Sequence, residues 1–323
     1  MKQCLIIVGL FFLYSSIISQ PSPIEDLLIL AEHGDPVAQN NLADIYLSGE
    51  GIAQNYQEAF KWYRRSAEQG NREAQNSLGL MYARGQGTVQ NFQEAYKWYQ
   101  MASDKGSVPA RYNLGYLYNN DRGEEQSYPE ALRWYLLAAD DQYAPAQYDL
   151  GLMYYSGLGV EQDFLEAASW FTLAADQSYA VAQYDLGLMY YSGKGVEQNF
   201  GEAARLFLKA AKQGHAEAQN SVGNMYKEGL GMEQNFPEAA KWFRSAMEQG
   251  HKKAQINLGV LYYLGQGVPQ DYEHSYYLIL HASMSSFSTE IREYANEFFE
   301  EIKANLSDEE RSRIIDEIHK ELF

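Results

Sequence analysis

The sequence predicts an all-α protein, an α/α superhelical solenoid of seven 36-residue helix-turn-helix repeats with terminal capping helices. The stretches AQYDLGLMYYSGLGVEQDF from Ala146 and AQYDLGLMYYSGKGVEQNF from Ala182 differ at only two positions. The same 36-residue step gives seven repeat alanines: Ala38, Ala74, Ala110, Ala146, Ala182, Ala218 and Ala254. A fixed period of this length is typical of repeat arrays, in which stacked neighbours complete a shared core.

The first half of each repeat predicts a helix, here called helix A. Ala38, Leu42 and Tyr46 are spaced i, i+4 and i+8, which places them on one helical face. The residue after the leucine is small, and in later copies it is glycine, as at Gly151 and Gly187. Since a mid-helix glycine costs about 1 kcal/mol against alanine, its recurrence predicts a neighbouring helix too close for a Cβ atom.

The second half predicts a helix B, with the pattern Glu-Ala-x-x-Trp-aromatic, as in EAFKWY at 58–63. Glycine follows helix B in most copies, and glycine readily adopts the left-handed backbone conformation common just after a helix. Gln142 and Ser178 replace that glycine in two copies, which predicts strained or reshaped turns there.

Gly-x-Gly loops join the two helices, and GKG at 193–195 raises the question of a phosphate-binding loop. The middle residue varies between copies, so Lys194 is a feature of one repeat and the glycines are expected to turn the chain. Only the third copy departs from the pattern, with DRG at 121–123.

The N-terminus predicts a secretory signal peptide over residues 1–19. Lys2 precedes an apolar stretch at 5–14, and small residues such as Ser19 follow it. The alternative is an uncleaved membrane anchor, for which the apolar stretch is short. The one cysteine, Cys4, lies too early for a lipoprotein site, and the cleaved chain would carry no disulfide.

Both ends of the array are expected to be capped. Residues 20–35 read as an N-terminal half-repeat, residues 36–287 as the seven repeats, and residues 288–323 as two C-terminal capping helices near 289–304 and 308–321. Ser307 and Glu310 have the spacing of a capping box at the start of the last helix.

The repeat resembles the Sel1-like repeat family, relatives of tetratricopeptide repeats. AQYDLGLMYYSGKGV at 182–196 and EAAKWF at 238–243 carry the resemblance, which extends over about residues 24–285. It implies a protein-binding α/α superhelix, and exported bacterial members include factors that contact host-cell proteins. Some members carry a disulfide in each repeat, from which this chain departs.

Composition and motifs argue against several other functions. The net charge of −18 disfavours nucleic acid and anionic membrane surfaces. No catalytic or nucleotide-binding motif is present, and the recurring glutamate that precedes helix B, as at Glu58, fits a helix N-terminus. We therefore expect no enzymatic activity and no cofactor.

The histidines offer little evidence of a metal site. His215 and His251 occupy one repeat position, where exposed turn residues are expected. His274 and His281 are spaced i, i+7 on one helix, but a third ligand is not evident, so we expect no metal.

The tyrosines form two classes. Tyr46 and its equivalents belong to the helix A core face, whereas the second, sixth and ninth residues after each repeat alanine lie on the opposite side. In related repeats these positions line a concave groove. They form a tyrosine and leucine stripe centred on the middle copies, and the predicted groove residues are Tyr112, Tyr116, Tyr148, Leu152, Tyr155, Tyr184, Leu188, Tyr191 and Tyr263.

This stripe predicts a groove for an extended or helical peptide with apolar anchors, and with basic residues that face Asp149 and Asp185. The alternative is a tight superhelix in which the stripe packs against the neighbouring helix A. The first hypothesis for function is a non-enzymatic adaptor, periplasmic or secreted, with a host-interaction role implied by family membership. The second is a cell-envelope assembly scaffold that binds glycan or organises polysaccharide or cell-wall machinery. The third, a hydrolase, has only weak family precedent.

Overall fold

The computed structural model describes residues 23–120 and 126–322, and its described residues form seventeen helices and no strand. The predicted signal peptide at 1–19 and the departing loop at 121–123 lie outside these residues. The all-α solenoid class is confirmed. The helices are α1 (Pro23–Glu32), α2 (Pro36–Ser48), α3 (Tyr56–Glu68), α4 (Arg72–Arg84), α5 (Phe92–Asp104), α6 (Val108–Asn119), α7 (Tyr128–Asp140), α8 (Ala144–Ser156), α9 (Phe164–Asp176), α10 (Ala180–Ser192), α11 (Phe200–Lys212), α12 (Ala216–Glu228), α13 (Phe236–Glu248), α14 (Lys252–Leu264), α15 (Tyr272–Met284), α16 (Thr289–Lys303) and α17 (Asp308–Leu322).

The chain divides into two compact units, Met1–Ser107 and Val108–Phe323. The first contains α1–α5 and the second contains α6–α17. Within each unit every helix A, an even-numbered helix from α2 to α14, packs against the helix B that follows it. Each helix B also packs against the next helix A of its unit, which is the pairing that makes a solenoid.

The glycine in the middle of helix A admits an aromatic ring from helix B, as predicted. A Cβ atom on Gly151 would lie 2.5 Å from the Phe171 ring, and one on Gly187 would lie 2.6 Å from the Phe207 ring. Such distances are far inside van der Waals contact. The absence of the methyl group therefore lets each buried ring lie directly on the helix A backbone.

The two glycines of each loop have different roles. Gly193 has a φ of 72° and ends α10, with its N–H donated to the Met189 carbonyl. Gly195 also has a positive φ, and a Cβ there would lie 2.3 Å from the Phe164 carbonyl oxygen. The second glycine thus allows the loop to pack on the start of the preceding helix B, a requirement beyond the turn that the sequence predicts.

The turns without glycine adopt the same left-handed conformation as the others. Gln142 has a φ of 59° and Ser178 a φ of 64°. A non-glycine residue in this region is conformationally strained, so the predicted strain at these two turns is confirmed.

A buried glutamine after the repeat alanine joins consecutive helices. Gln183 Nε2 donates to the Ala175 carbonyl at 3.0 Å, and Gln183 Oε1 accepts from Gln213 Nε2 at 2.8 Å. The pair recurs as Gln147 with Gln177 and as Gln219 with Gln249. These bonds satisfy polar groups inside an otherwise apolar interface.

The C-terminal helices pack on the last repeat. α16 and α17 contact α15, and the bounds of both helices agree with the prediction. Ser307 N and Ser307 Oγ both donate to Glu310 Oε2 at 2.7 Å, and Glu310 N donates back to Ser307 Oγ at 3.3 Å, which is the predicted capping box. Among the described residues, no helix has the length and apolar character needed to cross a bilayer.

Candidate functional site

Two neighbouring clefts lie on the helix A face of the second unit. The first has a volume of about 170 Å³ and lies between α8 and α10. Leu152 and Tyr155 of α8 form one wall, Leu188 and Met189 of α10 form the other, and Phe171 of α9 forms the floor. Asp185 and Ser192 of α10 supply polar groups to this cleft, besides the Tyr155 hydroxyl.

The second cleft lies one repeat further along the chain, between α10 and α12, and has a volume of about 90 Å³. Leu188 and Tyr191 form its α10 wall, and Phe207 of α11 takes the place that Phe171 has in the first cleft. The remaining lining is Ser221, Asn224, Met225, Glu228 and Leu230.

Leu188 is the ridge between the two clefts. Its side chain is 39% exposed, and Tyr191 beside it is 38% exposed. Among described residues, the sequence-predicted set is thus partly brought together: Leu152, Tyr155 and Leu188 meet in the first cleft, and Leu188 and Tyr191 in the second.

The tyrosines at the second position after the repeat alanine connect repeats. The Tyr148 ring packs on Phe171 and Tyr179, each at 5.5 Å between ring centroids, and its hydroxyl donates to Asp185 Oδ2 at 2.7 Å. Tyr184 packs in the same way on Phe207 at 5.5 Å and on His215 at 4.8 Å.

Tyr112 has the same role one repeat earlier, where it packs on Tyr135 and Tyr143. Tyr148 and Tyr184 therefore support the rings that form the floors of the two clefts, whereas Tyr112 packs on rings outside both. All three tyrosines are half-buried, and none of them lines either cleft.

Two carboxylates sit within this tyrosine layer. Burial raises the pKa of Asp149 to about 6, although hydrogen bonding from Tyr112 partly opposes the shift. Burial also raises the pKa of Asp185, opposed by its hydrogen bond from Tyr148. The buried hydroxyl of Tyr135 is near Asp149 but has no acceptor at hydrogen-bonding distance. Both carboxylates are thus partly desolvated, and they do not form an open negative surface.

Lys194 borders the first cleft. Its ammonium donates to the Tyr155 hydroxyl at 3.0 Å and lies 4.2 Å from the Tyr155 ring centroid and 4.1 Å from that of Phe164. These are cation–π distances. Lys194 therefore fixes Tyr155, a wall of the first cleft, in place.

Two more of the predicted residues, besides Tyr112, stand apart from the clefts. Tyr116 on α6 is 39% exposed. Tyr263 packs against Tyr272 at 5.8 Å, in the cluster that includes the C-terminal helices. Neither residue lines the first or the second cleft.

Several lining residues were not among those predicted from sequence. Met189 and Met225 occupy a repeat position that is buried in helix A, and Phe171 and Phe207 belong to the helix B core. Leu230 occupies the loop position of Lys194 one repeat later. Phe171, Phe207 and Leu230 lie outside helix A, so the helical spacing behind the predicted stripe could not include them.

The expectation that His215 and His251 are exposed turn residues is wrong. Each is the half-buried N-cap of the next helix A, and its Nδ1 accepts from the backbone N–H three residues on, at 3.2 Å from Ala218 N and 3.1 Å from Ala254 N. Neutral imidazole can accept such a bond, as Asn71 does at the same position.

His274 and His281 lie on either side of Tyr277, and each stacks on its ring. Within 23–120 and 126–322, no group of three or more histidine, cysteine, aspartate or glutamate side chains is placed to hold a metal ion.

The recurring glutamates of helix B start the helix and pair along its surface. Glu202 with Arg205 and Glu238 with Lys241 are exposed i, i+3 ion pairs, and equivalents occur in α3, α5 and α7. Such pairs stabilise a helix by a few tenths of a kcal/mol, about 0.2–0.5. Their contacts are those of a solvated helix surface.

Comparison with known proteins identifies the repeat. The Sel1 repeat model matches residues 36–71, 72–107, 108–143, 144–179, 180–215, 216–251 and 252–284. None of the curated proteins matches the chain.

Solved structures agree in fold. A Sel1 repeat protein from Oxalobacter formigenes is 32% identical with a TM-score of 0.66, over 85% of this chain and 79% of that one. A protective antigen present in uropathogenic Escherichia coli strains, displaying an SLR fold, is 27% identical with a TM-score of 0.61, over 92% of this chain and 70% of that one. The chain belongs to the Sel1 repeat family, with seven repeats at residues 36–284.

Proposed function

We propose that this protein is a non-enzymatic scaffold that binds a partner polypeptide on the helix A face of its fourth to sixth repeats. One observation carries the proposal: two largely apolar clefts lie side by side and share the exposed ridge Leu188. Sel1 repeats generally serve as protein-interaction scaffolds. Exposed apolar clefts with aromatic walls are typical of surfaces that bind side chains of another protein.

We infer that residues 1–19 direct export to the periplasm or beyond the cell, and that residues 20–35 and 288–323 cap the array. Tyr116 and Tyr263 would extend the groove on either side of the two clefts. A host-interaction role is proposed on family membership, and the uropathogenic Escherichia coli protein is described as a protective antigen.

Affinity capture with matched variants tests the proposal. Leu188→Asp and Tyr191→Asp place a carboxylate in the clefts, whereas Leu173→Asp makes the same change at a leucine of α9 that is 49% exposed outside the clefts. Proteins captured from bacterial envelope extract and from host lysate are identified by mass spectrometry. We expect the same partner with wild type and Leu173→Asp, and its loss with the two cleft variants.

Two results would contradict the proposal. Equal capture of the partner by all three variants would show that binding does not use the clefts. Retention of labelled polysaccharide without any captured protein would favour the envelope scaffold that binds glycan. Circular dichroism of each variant establishes that a lost partner reflects the surface and not unfolding.

A further inference from the structure

The first cleft combines an apolar volume with one carboxylate at its wall. Leu152, Phe171, Leu188 and Met189 surround a space of about 170 Å³. An apolar cavity of about 150 Å³ lined by similar residues is large enough for benzene. The first cleft therefore has room for one six-membered ring, whereas the second, at about 90 Å³, suits a smaller aliphatic side chain.

The acceptor is the carboxylate of Asp185. It lines the first cleft, and Asp185 Oδ2 accepts the hydroxyl of Tyr148 at 2.7 Å from the side of the preceding helix A. A carboxylate accepts several hydrogen bonds, so Asp185 keeps acceptor capacity for a donor that enters the cleft. The second cleft has Ser221 at the position equivalent to Asp185.

An aromatic residue forms part of the wall of the first cleft. Tyr155 forms part of the wall beside Leu152, and its ring is held by Lys194 and packs on Phe164 at 5.2 Å. A fixed aromatic wall favours another aromatic ring, because offset and edge-to-face pairs add to the burial of apolar area.

We propose that the first cleft binds a tyrosine side chain of the partner polypeptide, with the ring between Leu152 and Leu188 and the hydroxyl donated to Asp185. This inference rests on the proposed function and names the residue that the partner supplies. The smaller second cleft then takes an aliphatic side chain of the same segment, and Leu188 separates the two anchors.

Peptide titrations followed by methionine methyl NMR test this assignment. The probes are three blocked tripeptides, acetyl-Gly-Tyr-Gly-amide and its phenylalanine and leucine counterparts, added to the full protein labelled at its methionine methyl groups. Met189 reports on the first cleft and Met225 on the second, while Met153 occupies the same repeat position in α8 but lines neither cleft.

We expect the tyrosine peptide to shift Met189 and to leave Met153 unchanged. The phenylalanine peptide should bind about tenfold more weakly, since it lacks a hydrogen bond to a charged acceptor. Asp185→Asn should bring the two affinities within a few-fold of each other, because its amide oxygen accepts only as a neutral group.

A matched pair of substitutions tests whether the tyrosine peptide binds in the first cleft. Ser192 lines the first cleft and Ser156, in the same MYYSG context one repeat earlier, does not. Ser192→Leu should fill the mouth of the first cleft and weaken the tyrosine peptide at least about tenfold, whereas Ser156→Leu should leave the affinity unchanged.

Equal affinity of the three peptides, shifts centred on Met153, or equal effects of the two serine substitutions would each overturn the assignment. These failures are distinguishable from failure of the proposed function. If the captured partner still depends on Leu188 and Tyr191, the clefts bind protein but the first one does not select tyrosine. If capture of the partner is unaffected by substitution of either residue, the proposed function itself fails.

Discussion

The first and second clefts share Leu188, and their N-terminal walls are the same pair of residue types, leucine and tyrosine. Their C-terminal walls differ, because α10 supplies Asp185 and Ser192 to the first cleft while α12 supplies Asn224 and Glu228 to the second. The fourth and fifth repeats are nearly identical in helix A and its loop, yet the fourth lines only the first cleft whereas the fifth lines both. A cleft in this solenoid is therefore a property of two adjacent repeats, not of one.

The largest effect is expected at the glycine that lets Phe207 reach the floor of the second cleft. Gly187→Ala adds a methyl group that would lie 2.6 Å from that ring. We expect the free energy of unfolding to fall by about 2–3 kcal/mol, since a close-packed ring cannot give way without moving α11.

Urea denaturation measures this loss. The control is Gly201→Ala, since Gly201 lies in the first turn of α11 and a Cβ there would meet only Asn199 Oδ1 at 3.4 Å. The control should be neutral or slightly stabilising. An equal loss of unfolding free energy in both variants would contradict this, since it would not depend on contact with Phe207.

The second effect concerns Asp149, a partly buried carboxylate at the position of Asp185 one repeat earlier. Burial raises the pKa of Asp149 to about 6 in the folded state, above the ordinary value of an aspartate. Between about pH 4 and pH 6 the folded chain then binds more protons than the unfolded chain, so the free energy of unfolding should fall as the pH rises through this window.

Asp149→Asn should remove this fall, and its free energy of unfolding relative to wild type should rise by about 2 kcal/mol from pH 4 to pH 7. Urea denaturation at several pH values measures it. Glu161→Gln, at an exposed loop residue, is the control and should follow wild type. A wild-type pH dependence that Asp149→Asn leaves unchanged would place the responsible group elsewhere.

A smaller effect separates the second cleft from the first. Glu228 is 47% exposed at its side chain and lines only the second cleft. For a partner with a basic residue beside its aliphatic anchor, Glu228→Gln should weaken binding about threefold and reduce its salt dependence, as expected for a rim charge. Isothermal titration calorimetry at two salt concentrations measures both changes. The control is Glu248→Gln, on the exposed end of α13, which should change neither the affinity nor its salt dependence. A greater loss of affinity in Glu248→Gln than in Glu228→Gln would point to long-range attraction instead.

The smallest effect concerns the residue that borders each cleft. Lys194→Leu would give the first cleft the residue that Leu230 supplies to the second. We expect a loss of about 0.5 kcal/mol in the free energy of unfolding, since a partly exposed cation–π contact is worth little more. A loss above about 2 kcal/mol would show that Lys194 stabilises the stacking of repeats and not only the position of Tyr155.

The fold could be predicted from sequence because it depends on features that recur in nearly every repeat. The repeat alanines, the mid-helix glycines and the aromatic residue of helix B recur at one spacing, and each has one structural consequence. The second glycine of each loop shows the limit of this reasoning. Its close approach to the preceding repeat is a contact between copies, which the pattern within one copy does not contain.

The candidate site was predictable in part for the same reason. Helical spacing placed Tyr148, Leu152 and Tyr155 on one side of α8, but it did not show that Tyr148 would turn its hydroxyl to Asp185 of the next repeat. That contact spans 37 residues, one more than the repeat length, and so depends on how adjacent repeats stack. Likewise the N-cap role of His215 depends on the backbone conformation before α12.

If the protein is a scaffold of the proposed kind, the two clefts together bind side chains of a partner polypeptide. Methionine methyl NMR with the captured partner tests it most directly, since Met189 and Met225 each line one cleft and Met81 and Met153 occupy the same repeat position outside both. We expect shifts at Met189 and Met225, with Met81 and Met153 unchanged. Shifts at Met81 or Met153 with none at Met189 and Met225 would contradict it.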